Sequence, residues 1–176
     1  MKKSIRYFGA ALIGMVVVAN ASALSPYWHK AGRSNAIPAQ AFKVGHSAKG
    51  EPYYACRTFI QGALVPGRIT EHYSGCQASY KDTIYYTPRF SVLAMDYHHG
   101  AASAYHWHFA KDGRIPHHAF VAGYMGHHNP YYLCHGHLKG GLRNGKIVHG
   151  YSGCQVNYGE RAYYLNQYSV LQLKYR

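Results

Sequence analysis

The five residues YSGCQ occur at 73–77 and again at 151–155, 78 positions apart. Sliding the chain over itself by that offset aligns almost everything around them. IPAQAFKVG from Ile37 lies over IPHHAFVAG from Ile115, and PYYAC at 52–56 lies over PYYLC at 130–134. GALVPGRI at 62–69 lies over GGLRNGKI at 140–147, and FSVL at 90–93 over YSVL at 168–171. Trp28 matches Trp107 at an offset of 79, so one residue was gained or lost before Ile37. The chain reads as two tandem copies of one unit, 28–93 and 105–171, joined by a linker over 94–104. A period this long exceeds the roughly 20–50 residues of solenoids and propeller blades, and two copies are fewer than a stacked array needs. The pattern therefore predicts one globule over residues 24–176 with internal pseudo-twofold symmetry, each half covering the other's apolar face.

Lys2, Lys3 and Arg6 precede an apolar run over 8–18, and ANASA then offers small residues for cleavage after Ala23. That is the order of a secretory signal peptide, and the run is about half the roughly 20 apolar residues of a membrane span. Residues 1–23 are expected to be a cleaved signal, leaving a secreted or periplasmic chain with no integral membrane span. The cysteines, Cys56, Cys76, Cys134 and Cys154, fall two per copy at matching positions, in keeping with a disulfide-permitting compartment. Two pairings respect the repeat: Cys56–Cys76 with Cys134–Cys154 inside the copies, or Cys56–Cys154 with Cys76–Cys134 between them. Of these the repeat favours the first. No CxxC pair exists to seed a cysteine-rich zinc site.

Lys and Arg number 19 against 6 Asp and Glu, a formal charge of +13. Removing the three cations of the leader from +13 leaves +10 on the mature chain. Outside the cytoplasm the anions for such a surface are glycans, anionic cell-surface polymers or membrane headgroups, not nucleic acid.

Glycines and prolines punctuate the mature chain at short intervals, with Tyr, Val, Ile and Phe between them, the signature of an all-β sandwich or barrel. EPYYACRTF is one strand, with Tyr54, Cys56 and Thr58 on one face and Tyr53, Ala55, Arg57 and Phe59 on the other. GALVPG is expected to turn at Pro66–Gly67. FSVL and YSVLQLKY close the copies as strands.

Taken in order, Trp28, IPAQAF, Gly45, GEPYYACR, GALVPGRI, SGC and FSVL make the first copy resemble the DM-nine repeat family, known from lectin-like proteins and from the amino-terminal part of natterin-like toxins. The resemblance covers nearly the whole mature chain. It implies a single β-rich globule of two repeats and, by likeness to some members, recognition of mannose or related glycans. Ser47 and Met125 stand where the family's sugar-binding members carry an acid. The Lys of the P-G-K motif is Arg68 in the first copy and Lys146 in the second, where Asn144 replaces the Pro. The toxins of the family add a membrane-acting domain, for which no residues remain here.

Catalysis needs a matched set of groups, and the six acids Glu51, Glu71, Asp82, Asp96, Asp112 and Glu160 offer no carboxylate pair within one copy. GHSAKG places Lys49 where a serine elbow requires Gly. An enzyme is not expected, and nothing calls for a cofactor. Polar residues kept in both copies point instead to ligand binding: Arg68/Lys146, Gln77/Gln155 and Asp82/Glu160. Each cation follows a glycine and has tyrosines near it in sequence. Arg or Lys can donate to hydroxyl or phosphate oxygens while an aromatic face packs against a sugar ring. A non-catalytic, lectin-like binder of glycans or anionic surface polymers is the reading these residues favour, with room for a homodimer. The rival is a metal-binding protein, since eleven of the 14 histidines lie between His98 and His149. HWH at His106–His108 and HGH at His135–His137 each put two imidazoles on one face of a strand.

Overall fold

The computed structural model describes residues 26–31, 37–95, 105–126 and 129–174. The signal assigned to 1–23 and most of the linker lie outside these. Among the described residues there is no helix, and so none long and apolar enough to cross a membrane.

Each copy contributes seven strands in the same order. The first copy supplies β1 (Tyr27–Ala31), β2 (Lys43–His46), β3 (Pro52–Ile60), β4 (Ala63–Ile69), β5 (Cys76–Tyr80), β6 (Thr83–Thr87) and β7 (Phe90–Ala94). The second supplies β8 (Tyr105–Lys111), β9 (Val121–Met125), β10 (Asn129–Leu138), β11 (Gly141–Ile147), β12 (Cys154–Tyr158), β13 (Arg161–Leu165) and β14 (Gln167–Leu173). All pairings are antiparallel, as the all-β reading requires.

The copies interlock by exchanging strand contacts. His46 of β2 pairs with Leu142 of β11, and Tyr124 of β9 pairs with Leu64 of β4; the second bridge is the first shifted by 78 on both sides. With β2–β3, β3–β4, β9–β10 and β10–β11 these bridges close a six-stranded ring, β3-β2-β11-β10-β9-β4. The barrel-like alternative is thus the one realised, with hairpins β5–β6 and β12–β13 and pairs β1–β7 and β8–β14 flanking the ring. Glycine is required at both bridges. A Cβ on Gly45 would sit 2.1 Å from the Leu142 carbonyl oxygen, and one on Gly123 would sit 2.0 Å from that of Leu64.

The core divides as the symmetry dictates. A central cluster takes matching residues from both copies: Val44 with Ala122, Ala55 with Leu133, Leu93 with Leu171, and Trp28 with Trp107 packed against it. A satellite cluster in each copy surrounds its disulfide, Cys56–Cys76 or Cys134–Cys154. The pairing inside the copies is therefore the observed one, and two disulfides fit an oxidising compartment.

The expected turn at Pro66–Gly67 is not there. β4 runs straight through both residues, and the chain reverses earlier, at Gln61–Gly62, where both φ angles are positive (48° and 82°). Such a two-residue turn matches the twist of a hairpin. Gly67 instead permits close approach, since a Cβ there would lie 2.3 Å from the Gln77 carbonyl oxygen. The cation that follows it consequently sits inside a strand.

Candidate functional site

Strand register explains why the residues kept in both copies meet. Arg68 of β4 lies opposite Gln77 of β5, which lies opposite Tyr86 of β6. Lys146, Gln155 and Tyr164 form the same row across β11, β12 and β13. Directly opposed residues share a face, so each row runs cation, amide, phenol from the ring outward. The two inner members are buried, and the outer tyrosines stand 53% and 44% exposed.

Neither cation is solvated: Arg68 is 2% exposed and Lys146 1%. Each reaches across to the other copy. Arg68 Nη1 donates to the Asn157 carbonyl at 2.8 Å. Lys146 Nζ donates to the Ser79 carbonyl, to Ser79 Oγ at 2.9 Å and to Gln155 Oε1 at 2.6 Å. Ser79 and Asn157 are themselves equivalent positions, so these are the same strut built twice. Burial pushes the Lys146 ammonium down to about 7, and the Asp82 charge pulls against it. Its three hydrogens already have acceptors in the protein, which leaves it to hold Gln155 in place rather than to touch a ligand.

The acids behave differently in the two rows. Asp82, in the β5–β6 turn of the first copy, accepts at Oδ1 from Gln155 Nε2 (2.9 Å) and from the Tyr164 hydroxyl (3.1 Å), both of the second copy. Gln155 Nε2 also donates to the Tyr164 hydroxyl at 2.7 Å. Burial, the neighbouring Tyr151 and Asp82 push the Tyr164 phenol well above its ordinary range. Among the described residues nothing bonds the second Asp82 oxygen. The Tyr164 ring in turn has the ring of Tyr151 edge-on to it, centroids 5.4 Å apart.

Glu160, the counterpart of Asp82, is exposed and has no side-chain hydrogen bond among the described residues. The turns differ: Lys81 and Asp82 both have positive φ (49° and 61°), whereas in the second copy Gly159 does and Glu160 does not. Gln77 still donates to the Tyr86 hydroxyl, but its Oε1 is buried without a partner. Near this first row lies a second buried cation that the repeat comparison missed. Arg143 replaces the Val65 of the first copy, donates from Nη1 to the Tyr53 hydroxyl and stacks over the Tyr158 ring at 4.9 Å. Arg68 lies 4.6 Å over the Tyr53 ring, with its Nε unpartnered. The tyrosines at 53/131, 73/151 and 86/164 were legible as identities between copies, and the even spacing 68, 77, 86 was the signal for the row.

The HWH and HGH pairs do not converge, and His98, His99, His127 and His128 lie outside the described residues. His106 and His108 share a face of β8, ring centroids 6.3 Å apart. His135 stacks on Trp107 at 3.6 Å, on the opposite face of that strand, and its Nδ1 bonds the Val44 carbonyl at 2.9 Å. His137 is exposed further along β10. Among the described residues no three His, Cys, Asp or Glu side chains form a group able to hold a metal ion.

A sequence model of the DM9 repeat matches the chain twice, over residues 15–87 and 49–165. Among solved structures, the crystal structure of the nematode sperm cell motility protein MFP2B is similar with a TM-score of 0.58 at 13% identity. The superposition covers 86% of this chain and 45% of that one, so this chain corresponds to under half of that protein's length. At that identity the likeness is one of fold. No curated protein matches the chain in sequence.

Proposed function

The chain belongs to the DM9 repeat family, and from that premise we propose that it is a non-catalytic glycan-binding protein of the secreted or periplasmic space. The observation that carries this reading is the Asp82 carboxylate. One oxygen is held by Gln155 and Tyr164, the other has no protein partner among the described residues, and the Tyr164 ring that bonds the group has Tyr151 edge-on to it. A fixed carboxylate oxygen accepts from sugar hydroxyls, and an aromatic face packs against the C–H face of a pyranose ring. Asp82 supplies from the hairpin turn the acid that Ser47 and Met125 do not. Lys146 acts as a support that aims Gln155, while Arg68 braces the other copy at the Asn157 carbonyl and leaves Gln77 held by Tyr86 alone.

The two rows are expected to differ in preference. The second has its carboxylate in place and suits neutral hydroxyls. The first has two buried guanidiniums, Arg68 and Arg143, and no bonded carboxylate, so its field favours an acidic sugar. Single contacts of this kind bind weakly, and two sites on one rigid body raise avidity on a multivalent surface.

The test is binding to immobilised polysaccharide and to whole cells by Asp82→Asn and by Tyr86→Ala/Tyr164→Ala. Asp82→Asn keeps an oxygen for Gln155, so it folds, and it should lose at least about tenfold in binding. Parent-like binding by both variants would place the site elsewhere. Metal binding on the histidines is the rival. Zinc or copper titration that finds a tight site abolished by His106→Ala/His108→Ala would favour it.

A further inference from the structure

A second surface, remote in character from the tyrosine rows, lies at the β3–β4 hairpin. A depression of about 300 Å³ is lined by Lys30, Arg57 and Arg89 together with Phe59, Leu64 and Phe90. A second, of about 320 Å³, shares Phe59 and Leu64 and adds Tyr124. Phe59 is 74% exposed, the most exposed of the large apolar residues described. Among the described residues, none of the three cations forms an ion pair with a carboxylate. The Arg57 guanidinium rests 4.1 Å over the Trp28 ring, which holds it at the rim rather than leaving it to wave in solvent.

The repeat supplies an internal comparison. At the positions equivalent to Arg57, Phe59, Lys30 and Arg89 the second copy has His135, His137, Phe109 and Gln167. The registers confirm the match, with Lys30 opposite Ser91 and Phe109 opposite Ser169. Where the tyrosine rows are built twice, the combination of three cations around a projecting phenylalanine is built once. It marks one side of the molecule.

We propose that this face docks the protein onto an anionic phospholipid surface, with Lys30, Arg57 and Arg89 on the headgroup phosphates and Phe59 entering the acyl boundary. Charge complementarity names the headgroup, since the lining residues include three cations and no acid. The exposed Phe59 and Tyr124, with half-buried Leu64 between them, favour a lipid over a soluble polyanion, because a projecting phenyl ring is covered on all sides in an acyl phase and on one face only by a sugar ring. Aromatic side chains favour the headgroup level, and basic residues beside them add affinity that falls with salt. The proposal stands independently of glycan binding by the tyrosine rows.

The experiment is co-sedimentation of the protein with vesicles of phosphatidylglycerol mixed with phosphatidylcholine, and of phosphatidylcholine alone. Binding is expected to the mixed vesicles only. Lys30→Gln/Arg89→Gln should weaken it roughly 25-fold, at about fivefold per cation, and Phe59→Ser about tenfold. Lys49→Gln/Lys139→Gln removes the same charge from turns that line neither depression and should leave binding near the parent's. These positions are all exposed, so unchanged thermal unfolding confirms each fold. Equal weakening by both charge pairs would reduce the effect to overall charge and overturn the proposal. So would parent-like binding by Phe59→Ser, or dextran sulfate binding as tight as the mixed vesicles', which would make the face a polyanion site.

Discussion

Arg68 and Asn157 lie 89 residues apart and are joined at 2.8 Å, guanidinium to carbonyl, across the boundary between the two copies. Lys146 and Ser79 repeat the contact from the other side. A buried cation bonded to a backbone carbonyl on a partner strand resists sliding of that strand, because successive carbonyls point to opposite edges and the next one facing the same way is two residues, about 6.6 Å, along. Two such struts, related by the pseudo-twofold, set how far each copy is inserted into the other.

Lys146→Ala should therefore lower stability by about 3 kcal/mol, since it strips the buried Ser79 carbonyl of its side-chain donor and leaves Gln155 Oε1 with only the longer bond from Ser79 Oγ. Arg68→Ala should cost less, because Arg68 bonds the Asn157 carbonyl and the Tyr73 hydroxyl while its Nε has no acceptor. Urea denaturation with an unchanged m-value would measure both. A loss below about 1 kcal/mol for Lys146→Ala would show the strut to be dispensable.

His135 predicts a pH dependence. Burial holds its imidazole down to about 4 in the folded chain, against an ordinary 6.5. Between those values the unfolded chain binds a proton that the folded chain refuses. Stability from this group is full above pH 6.5 and falls as pH drops towards 4, by up to about 3 kcal/mol. The equivalent residue in the first copy is Arg57, stacked on Trp28 as His135 is stacked on Trp107. His135→Arg should retain the stack and flatten the dependence, measured by chemical denaturation across that window. An unchanged slope would assign the acid sensitivity to another group.

Gly45→Ala and Gly123→Ala should each cost about 2–3 kcal/mol, since the added carbon meets a backbone oxygen that cannot move without opening the ring. Thermal unfolding would report it. Wild-type melting in both variants would mean that the two bridges contribute little to the closure.

Non-reducing peptide mapping should recover Cys56 linked to Cys76 and Cys134 linked to Cys154. Closing loops of sequence separation 20, each link should be worth roughly 3 kcal/mol, so reductant should lower the melting temperature in two steps of similar size.

Much of this was legible from one internal comparison. Self-alignment matched the copies segment by segment, placed strands at EPYYACRTF, FSVL and YSVLQLKY, favoured the observed disulfides and picked out Arg68, Gln77, Lys146 and Gln155 before any geometry. It could not say that the cations were buried, because a cation after Pro-Gly looks like a turn residue until register shows that the turn lies at Gln61–Gly62. It was blind to Arg143, whose twin is Val65, because a difference between copies carries no mark of what replaced what. Nor could it separate Asp82 from Glu160. Their roles diverge through the φ angles of two turns, and one methylene adds to the difference.

The ring of six strands has a further bearing on how the chain comes together. One copy alone provides three staves, β2, β3 and β4, with two flanks unsatisfied. Two separate one-copy chains would close the same barrel around a true dyad, and would do so only as fast as they met. Tethering the copies in a single polypeptide turns that second-order encounter into a first-order one. A protein diluted into an open medium then keeps its barrel at any concentration, and mutations can accumulate in one half without having to suit an identical half opposite. The lone Asp82 contact, the lone Arg143 and the one-sided phenylalanine face are asymmetries that a true homodimer could not have held.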